Sequence, residues 1–215
     1  MSNRFLVVLL ALLIIFGGVI FFTKHKSGGS NSSSSANVAP SNHVEGAGKK
    51  NVTLIEYGDF QCPACGAYYP VVKQIVAKYK DDIHFQFRNF PLTSIHKHAF
   101  EGSRAAEAAD KQGKFWEMHD LLYENQTTWS AESDPTATFV SYAKQLNLDT
   151  TKFKQDLQSE AVNDLINADI KEGTKIGANS TPTFVLEGKK IDQNPRSLEE
   201  FNKLIDSAIA AKTKQ

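Results

Sequence analysis

The stretch that decides the fold runs from Thr53 to Tyr79: TLIEYGDFQ, then Cys62-Pro63-Ala64-Cys65, then GAYYPVVKQIVAKY. It carries the only two cysteines in the chain. A bridge over two intervening residues closes so small a loop that it stabilises little. The spacing suits redox chemistry better. A thiolate at a helix start meets free N–H groups and the positive end of the helix dipole. Such thiols ionise at pKa values of roughly 3.5–7.5. Pro63 fits the first helical position. Cys62 is then the exposed nucleophile at the cap, and Cys65, one turn in, resolves the mixed disulfide.

The flanks read clearly. Val71, Val72, Ile75, Val76 and Tyr79 form an apolar helical stripe, and Pro70 predicts a kink. Upstream, Val52, Leu54 and Glu56 share one face of a strand, with Thr53, Ile55 and Tyr57 on the other. Glu56 is thus a carboxylate in apolar company, expected to hold a raised pKa and to move protons to or from Cys65. Ile83–Arg88 alternates as a second strand, completing a βαβ unit. Residues 95–172 read as helices: an alanine-rich one stopped by Gly113, one from Phe115 to Tyr123, one capped by Asp134-Pro135, and one from Asp149 ending before Gly173. Phe184-Val185-Leu186 and Lys190-Ile191 around Gly188 form a hairpin, and Ser197-Leu198-Glu199-Glu200 caps a closing helix.

Strand, C-x-x-C and helix together resemble the thioredoxin superfamily. Four features in order resemble its DsbA-like branch: FQCPAC after LIEYGD, a helical insertion with KFWEMHDLLY at 114–123, Thr181-Pro182-Thr183-Phe184, and a terminal strand pair and helix. They cover residues 51–215. The resemblance implies an α/β thioredoxin fold with an inserted all-helical subdomain. It also implies a cis Pro182 facing the thiols, with Thr181 pairing its backbone to an extended substrate beside Cys62. Pro63 and Ala64 complete the expected substrate-binding surface. The implied activity is thiol–disulfide exchange. The best-known oxidant of the branch has histidine where Ala64 stands, so a milder oxidant is expected. A reductase or isomerase of the same fold, and a tethered metal- or thiol-binding module, stay open as alternatives.

The rest of the chain is read for location and partners. Of 215 residues, 41% are hydrophobic, and 24 basic residues balance 24 acidic ones, so nothing points to nucleic acid. Residues 1–4 are a short tail. Phe5–Phe22 is an unbroken apolar run of about 27 Å as a helix, with no Ala-x-Ala pattern after it; it reads as an uncleaved transmembrane signal anchor. Residues 23–50, rich in serine, glycine and asparagine, read as a flexible tether. The expected location is the cell membrane, with the domain on the extracytoplasmic side, where disulfides persist. The expected partners are reduced exported proteins and, by the resemblance, a quinone-linked membrane protein that re-oxidises a monomeric enzyme. No cofactor is expected beyond the Cys62–Cys65 bridge. His96, His98 and His119 lack metal-site spacing, so no metal is expected either.

Overall fold

The computed structural model describes residues 38–214. The anchor read at 5–22 and the first part of the tether lie outside the described residues. No helix among the described residues is long and apolar enough to cross a membrane.

The sheet has five strands: β1 (His43–Glu45), β2 (Val52–Gly58), β3 (Ile83–Asn89), β4 (Thr183–Leu186) and β5 (Lys189–Lys190), in the order β1-β3-β2-β4-β5. β2 and β3 pair in parallel across α1 (Pro63–Tyr79), and the other pairings are antiparallel. The alternation read in β2 and β3 holds. Val52, Leu54 and Phe85 pack on one face with Val72, Ile75 and Tyr79 of α1 and with Phe201 and Ile205 of α8 (Leu198–Thr213). Tyr57 and Val185 face the other side with Phe90. Helix α1 runs through Pro70 without ending, because its buried stripe lies on both sides of the proline's turn.

Six helices fill the insertion: α2 (Ala99–Asp110), α3 (Phe115–Glu124), α4 (Gln126–Ser130), α5 (Thr136–Gln145), α6 (Thr150–Leu157) and α7 (Glu160–Lys175). Two features of the insertion differ from what the sequence leads one to expect. The helix expected from Asp149 onward is two helices: Asp149 caps α6, and Ser159, accepting from Val162 N–H, starts α7. Gly173 does not end α7. It lies inside the helix, where a Cβ would come within 2.7 Å of the Phe90 ring and 2.9 Å of Tyr57. The missing side chain permits a close approach rather than a stop.

The tether boundary is corrected as well. His43–Glu45, read as tether, pairs with Glu45 opposite Phe85 and His43 opposite Phe87. Three residues are too few to show a strand period, and their partners are distant in sequence. Ser41 donates from its N–H and its hydroxyl to the Asp169 carboxylate, both at 2.7 Å. His43 stacks on Phe115, centroids 3.5 Å apart, and bonds Glu107 at 2.8 Å. Asn89 donates to Glu107 (2.6 Å) and Asp169 (3.2 Å), closing a buried polar network. Strand β1 is therefore fastened to both the sheet and the helical insertion.

Candidate active site

The end of β2, the start of α1 and the loop before β4 meet at one point. Cys62 is the N-cap of α1 and Pro63 occupies its first turn, as the spacing requires. Both cysteines are free thiols. Cys65 is fully buried, and Cys62 is 6% exposed. Cys62 is thus less open than the sequence reading expected, because the Thr181 loop covers it: its Sγ lies 3.5 Å from the Thr181 carbonyl oxygen, to which the thiol donates. The Thr181–Pro182 peptide is cis. Pro63 and Ala64 are exposed beside the pair.

The two thiols are electrically unlike. Hydrogen bonding from the Cys65 thiol outweighs the cost of burying Cys62 and, with the Thr181 side chain and the N–H groups of Cys65 and Ala64, brings its pKa down to about 5. As a neutral thiol Cys62 makes no capping hydrogen bond; the N–H groups act on it once it is ionised. The helix start therefore contributes as expected, but the neighbouring thiol contributes most. Burial pushes Cys65 up, helped by its bond to Cys62 and by the Glu56 carboxylate. Burial also raises Glu56, itself fully enclosed, to about 8, and the Cys62 charge adds to this. The raised pKa is the one expected of a carboxylate in apolar company on this strand.

Several supporting groups escaped the sequence reading. The buried Asp59 carboxylate accepts from Gln61 N–H (2.8 Å), Leu92 N–H (2.9 Å) and His96 Nδ1 (2.6 Å). Gln61 accepts from His98 N–H at 2.5 Å. Gln126, on α4, donates to the carbonyls of Phe60 (2.8 Å) and Cys62 (2.9 Å). These bonds tie the turn before Cys62 to two segments far along the chain. The only sequence signal was a polar cluster, D-F-Q, directly ahead of the cysteines. His96 and His98 are thus braces of the active-site loop, and His119 is a core histidine whose burial lowers its pKa. Among the described residues, His43, Glu107 and Asp110 bring possible metal-ligand atoms within 4.8 Å of one another. The two carboxylates take opposite ring nitrogens of His43, the arrangement of an ion-paired imidazolium.

Residues 38–207 match the model of the family described as Thioredoxin. The chain belongs to the thioredoxin family. The insertion of helices between β3 and β4 gives this thioredoxin-family protein the DsbA-like form of the fold, that of thiol–disulfide oxidoreductases. It is similar to BdbD from Bacillus subtilis, whose oxidised crystal structure superposes with a TM-score of 0.69 at 25% identity, over 80% of this chain and 96% of that one. α-DsbA1 from Wolbachia pipientis has the same fold, with a TM-score of 0.69 at 21% identity over 82% of this chain and 94% of that one. The Na(+)/H(+) antiporter NhaA 3 of Salinispora tropica is 35% identical over 170 residues, 79% of this chain and 25% of that protein. The chain spans about a quarter of the length of such curated relatives, whose name describes the whole protein.

Proposed function

We propose that this thioredoxin-family protein is an extracytoplasmic oxidant that introduces disulfides into exported proteins through the Cys62–Cys65 couple. The observation that carries the reading is the placement of Cys62 between the start of α1, the Cys65 thiol and the Thr181 loop. A stabilised thiolate favours the dithiol state, and a couple that prefers to be reduced oxidises its substrates.

In the reaction, a substrate thiolate attacks Cys62 of the bridged enzyme. The Cys62–Cys65 bond breaks, a mixed disulfide forms, and the electron pair leaves on Cys65. Protonated Glu56 supplies the proton that Cys65 takes up. A second substrate thiolate then attacks the substrate sulfur of the mixed disulfide and releases the Cys62 thiolate. Thr181 and Pro182 line the approach, with Pro63 and Ala64 exposed for contact. The apolar run at 5–22 would hold the domain at the membrane as a monomer, beside a quinone-linked protein that re-forms the bridge.

Ala64 in place of histidine favours a less oxidising couple, which leaves a reductase or isomerase of the same fold as the second reading. The reduction potential of the purified domain, measured against glutathione, separates the two. A value well above that of reducing thioredoxins (about −270 mV), together with oxidative refolding of a reduced protein, supports the oxidant. Insulin reduction without refolding activity supports the reductase. Cys62→Ser should abolish both activities.

A further inference from the structure

Tyr123 belongs to α3, in the helical insertion, yet it is buried in the same cluster as the thiol pair. Its ring packs against Phe60 and Tyr69, with centroids 5.0 and 5.3 Å away. A Cβ at Gly58 would stand 3.0 Å from its hydroxyl oxygen. Gly58 is two residues beyond Glu56 on β2, so that oxygen lies on the face of the strand that carries the Glu56 carboxyl. Cys62, Cys65 and Tyr123 share one buried cluster. The hydroxyl is sealed from solvent and has no hydrogen-bond partner among the described residues. A phenylalanine would supply the same packing without a stranded polar group, whose burial costs about 1–3 kcal/mol. Stranded buried groups call for an explanation, and a catalytic role is one. Beyond burial, the charges that bear on the phenol are those of Cys65, Glu56, Asp59 and Cys62, in that order.

We propose that Tyr123 is a further catalytic residue for the exchange reaction, its hydroxyl donating a hydrogen bond to the Cys65 sulfur while that sulfur carries charge. The inference rests on the exchange reading above. When a thiolate attacks Cys62 of the bridged enzyme, the bond between the two cysteine sulfurs breaks and Cys65 leaves with the electron pair. Tyr123 holds that charge by a hydrogen bond and keeps its own proton. The Glu56 carboxyl then protonates Cys65 and becomes a carboxylate. The attacking thiol is oxidised to the mixed disulfide, and the enzyme bridge is reduced. The titratable groups around the phenol are Glu56 from β2, Asp59 from the following loop, Cys62, Cys65 and Tyr69 from α1, and His119 from its own helix.

The test is Tyr123→Phe in the oxidised protein, with reduction of the bridge by glutathione followed from pH 5 to 9. Loss of a hydrogen bond to a charged sulfur should slow this step about tenfold. The ionisation of Cys62, read at 240 nm in the reduced protein, should stay in place, as should the circular dichroism. An unchanged reduction rate at every pH overturns the proposal. So does a rate loss matched by a shifted Cys62 titration, which would mean that the substitution acts through packing around Cys62. A wild-type bridge that glutathione cannot reduce at all would instead overturn the exchange reading beneath it.

Discussion

The sulfur of Cys62 and the carbonyl oxygen of Thr181 stand 3.5 Å apart, brought together from opposite ends of the domain. One comes from the start of α1, the other from the loop before β4, and the sheet aligns them through the pairing of Glu56 with Phe184. This contact covers the nucleophile from one side while the helix start and Cys65 act on it from the other.

The first prediction follows from that environment. Absorbance at 240 nm should show Cys62 half-ionised near pH 5, whereas Cys65 stays protonated through neutral pH because burial raises it. Cys62 has a depressed pKa, so its contribution to stability is present above the unfolded value, about 8.5, and is lost as pH falls through about 5. The reduced protein should therefore gain stability over the oxidised protein as pH rises across that window. Urea unfolding of both forms measures it; a difference independent of pH would contradict the assigned environment.

Glu56 has the opposite sign. Its carboxyl is raised to about 8, so the folded protein keeps a proton that the unfolded chain gives up near 4.5. Stability falls through that interval and levels off above pH 8. Glu56→Gln should be more stable than wild type by a few kcal/mol at pH 8, with little difference at pH 4. The same variant should slow exchange, because no group remains to hand Cys65 its proton. A variant that loses stability at pH 8 would contradict the buried, protonated carboxyl.

His43 ties β1 to the insertion. Burial lowers its pKa, but Asp110 and Glu107 outweigh that and raise it to about 9. Its stabilisation is complete below about 6.5 and is lost as pH rises through about 9. His43→Gln leaves the fully buried Glu107 without its cation, which should cost about 3 kcal/mol at pH 6. The cost should shrink by pH 10. Thermal unfolding across this range tests whether the imidazolium clasp exists.

What the sequence made legible was local. The period of two in Val52–Tyr57 and Ile83–Arg88, the helical stripe of α1, the proline after Cys62 and the Ser197 cap all act within a few residues, and each forms as read. What it hid was held from far away. Strand β1 exists because Phe87 pairs with His43 and Asp169 holds Ser41 just ahead of it, and Gly173 matters because Phe90 sits above it. The pair Cys62 and Cys65 was plain from spacing. Their braces, Asp59, His96 and Gln126, were not, since nothing in a single chain says that residue 126 will reach the carbonyl of residue 62.

Gln126 offers a direct test of that bracing. Its amide donates to the carbonyls of Phe60 and Cys62, and its oxygen fills the space beside Gly66, where a Cβ would lie 2.4 Å away. Gln126→Ala leaves the Phe60 carbonyl without a donor, while the Cys62 carbonyl keeps the Gly66 N–H, and should cost about 1–3 kcal/mol in unfolding free energy. Gly66→Ala should weaken the same bonds by pushing the amide aside. If the two substitutions are combined, the losses should not add, because both act on one side chain. Urea unfolding of the two single variants and the double variant would show this; full additivity would mean that the brace is not shared.

On the oxidant reading proposed above, residue 64 tunes how strongly the couple oxidises. It lies exposed between the cysteines, with room for a larger side chain, and its own N–H favours the Cys62 thiolate. An imidazolium at that position adds a positive charge near the sulfur, which an alanine cannot. Stabilising the thiolate stabilises the dithiol form and makes the bridge a stronger oxidant. One unit of further pKa depression corresponds to about 1.4 kcal/mol, or about 30 mV for a two-electron couple. Ala64→His should therefore raise the reduction potential by about 30 mV and lower the Cys62 pKa by about one unit. The potential, read by equilibration with glutathione, should rise in step with the titration at 240 nm. A potential that stays put while the thiol titration moves would separate thiolate stability from oxidising strength, and the physical basis of the oxidant assignment would fail.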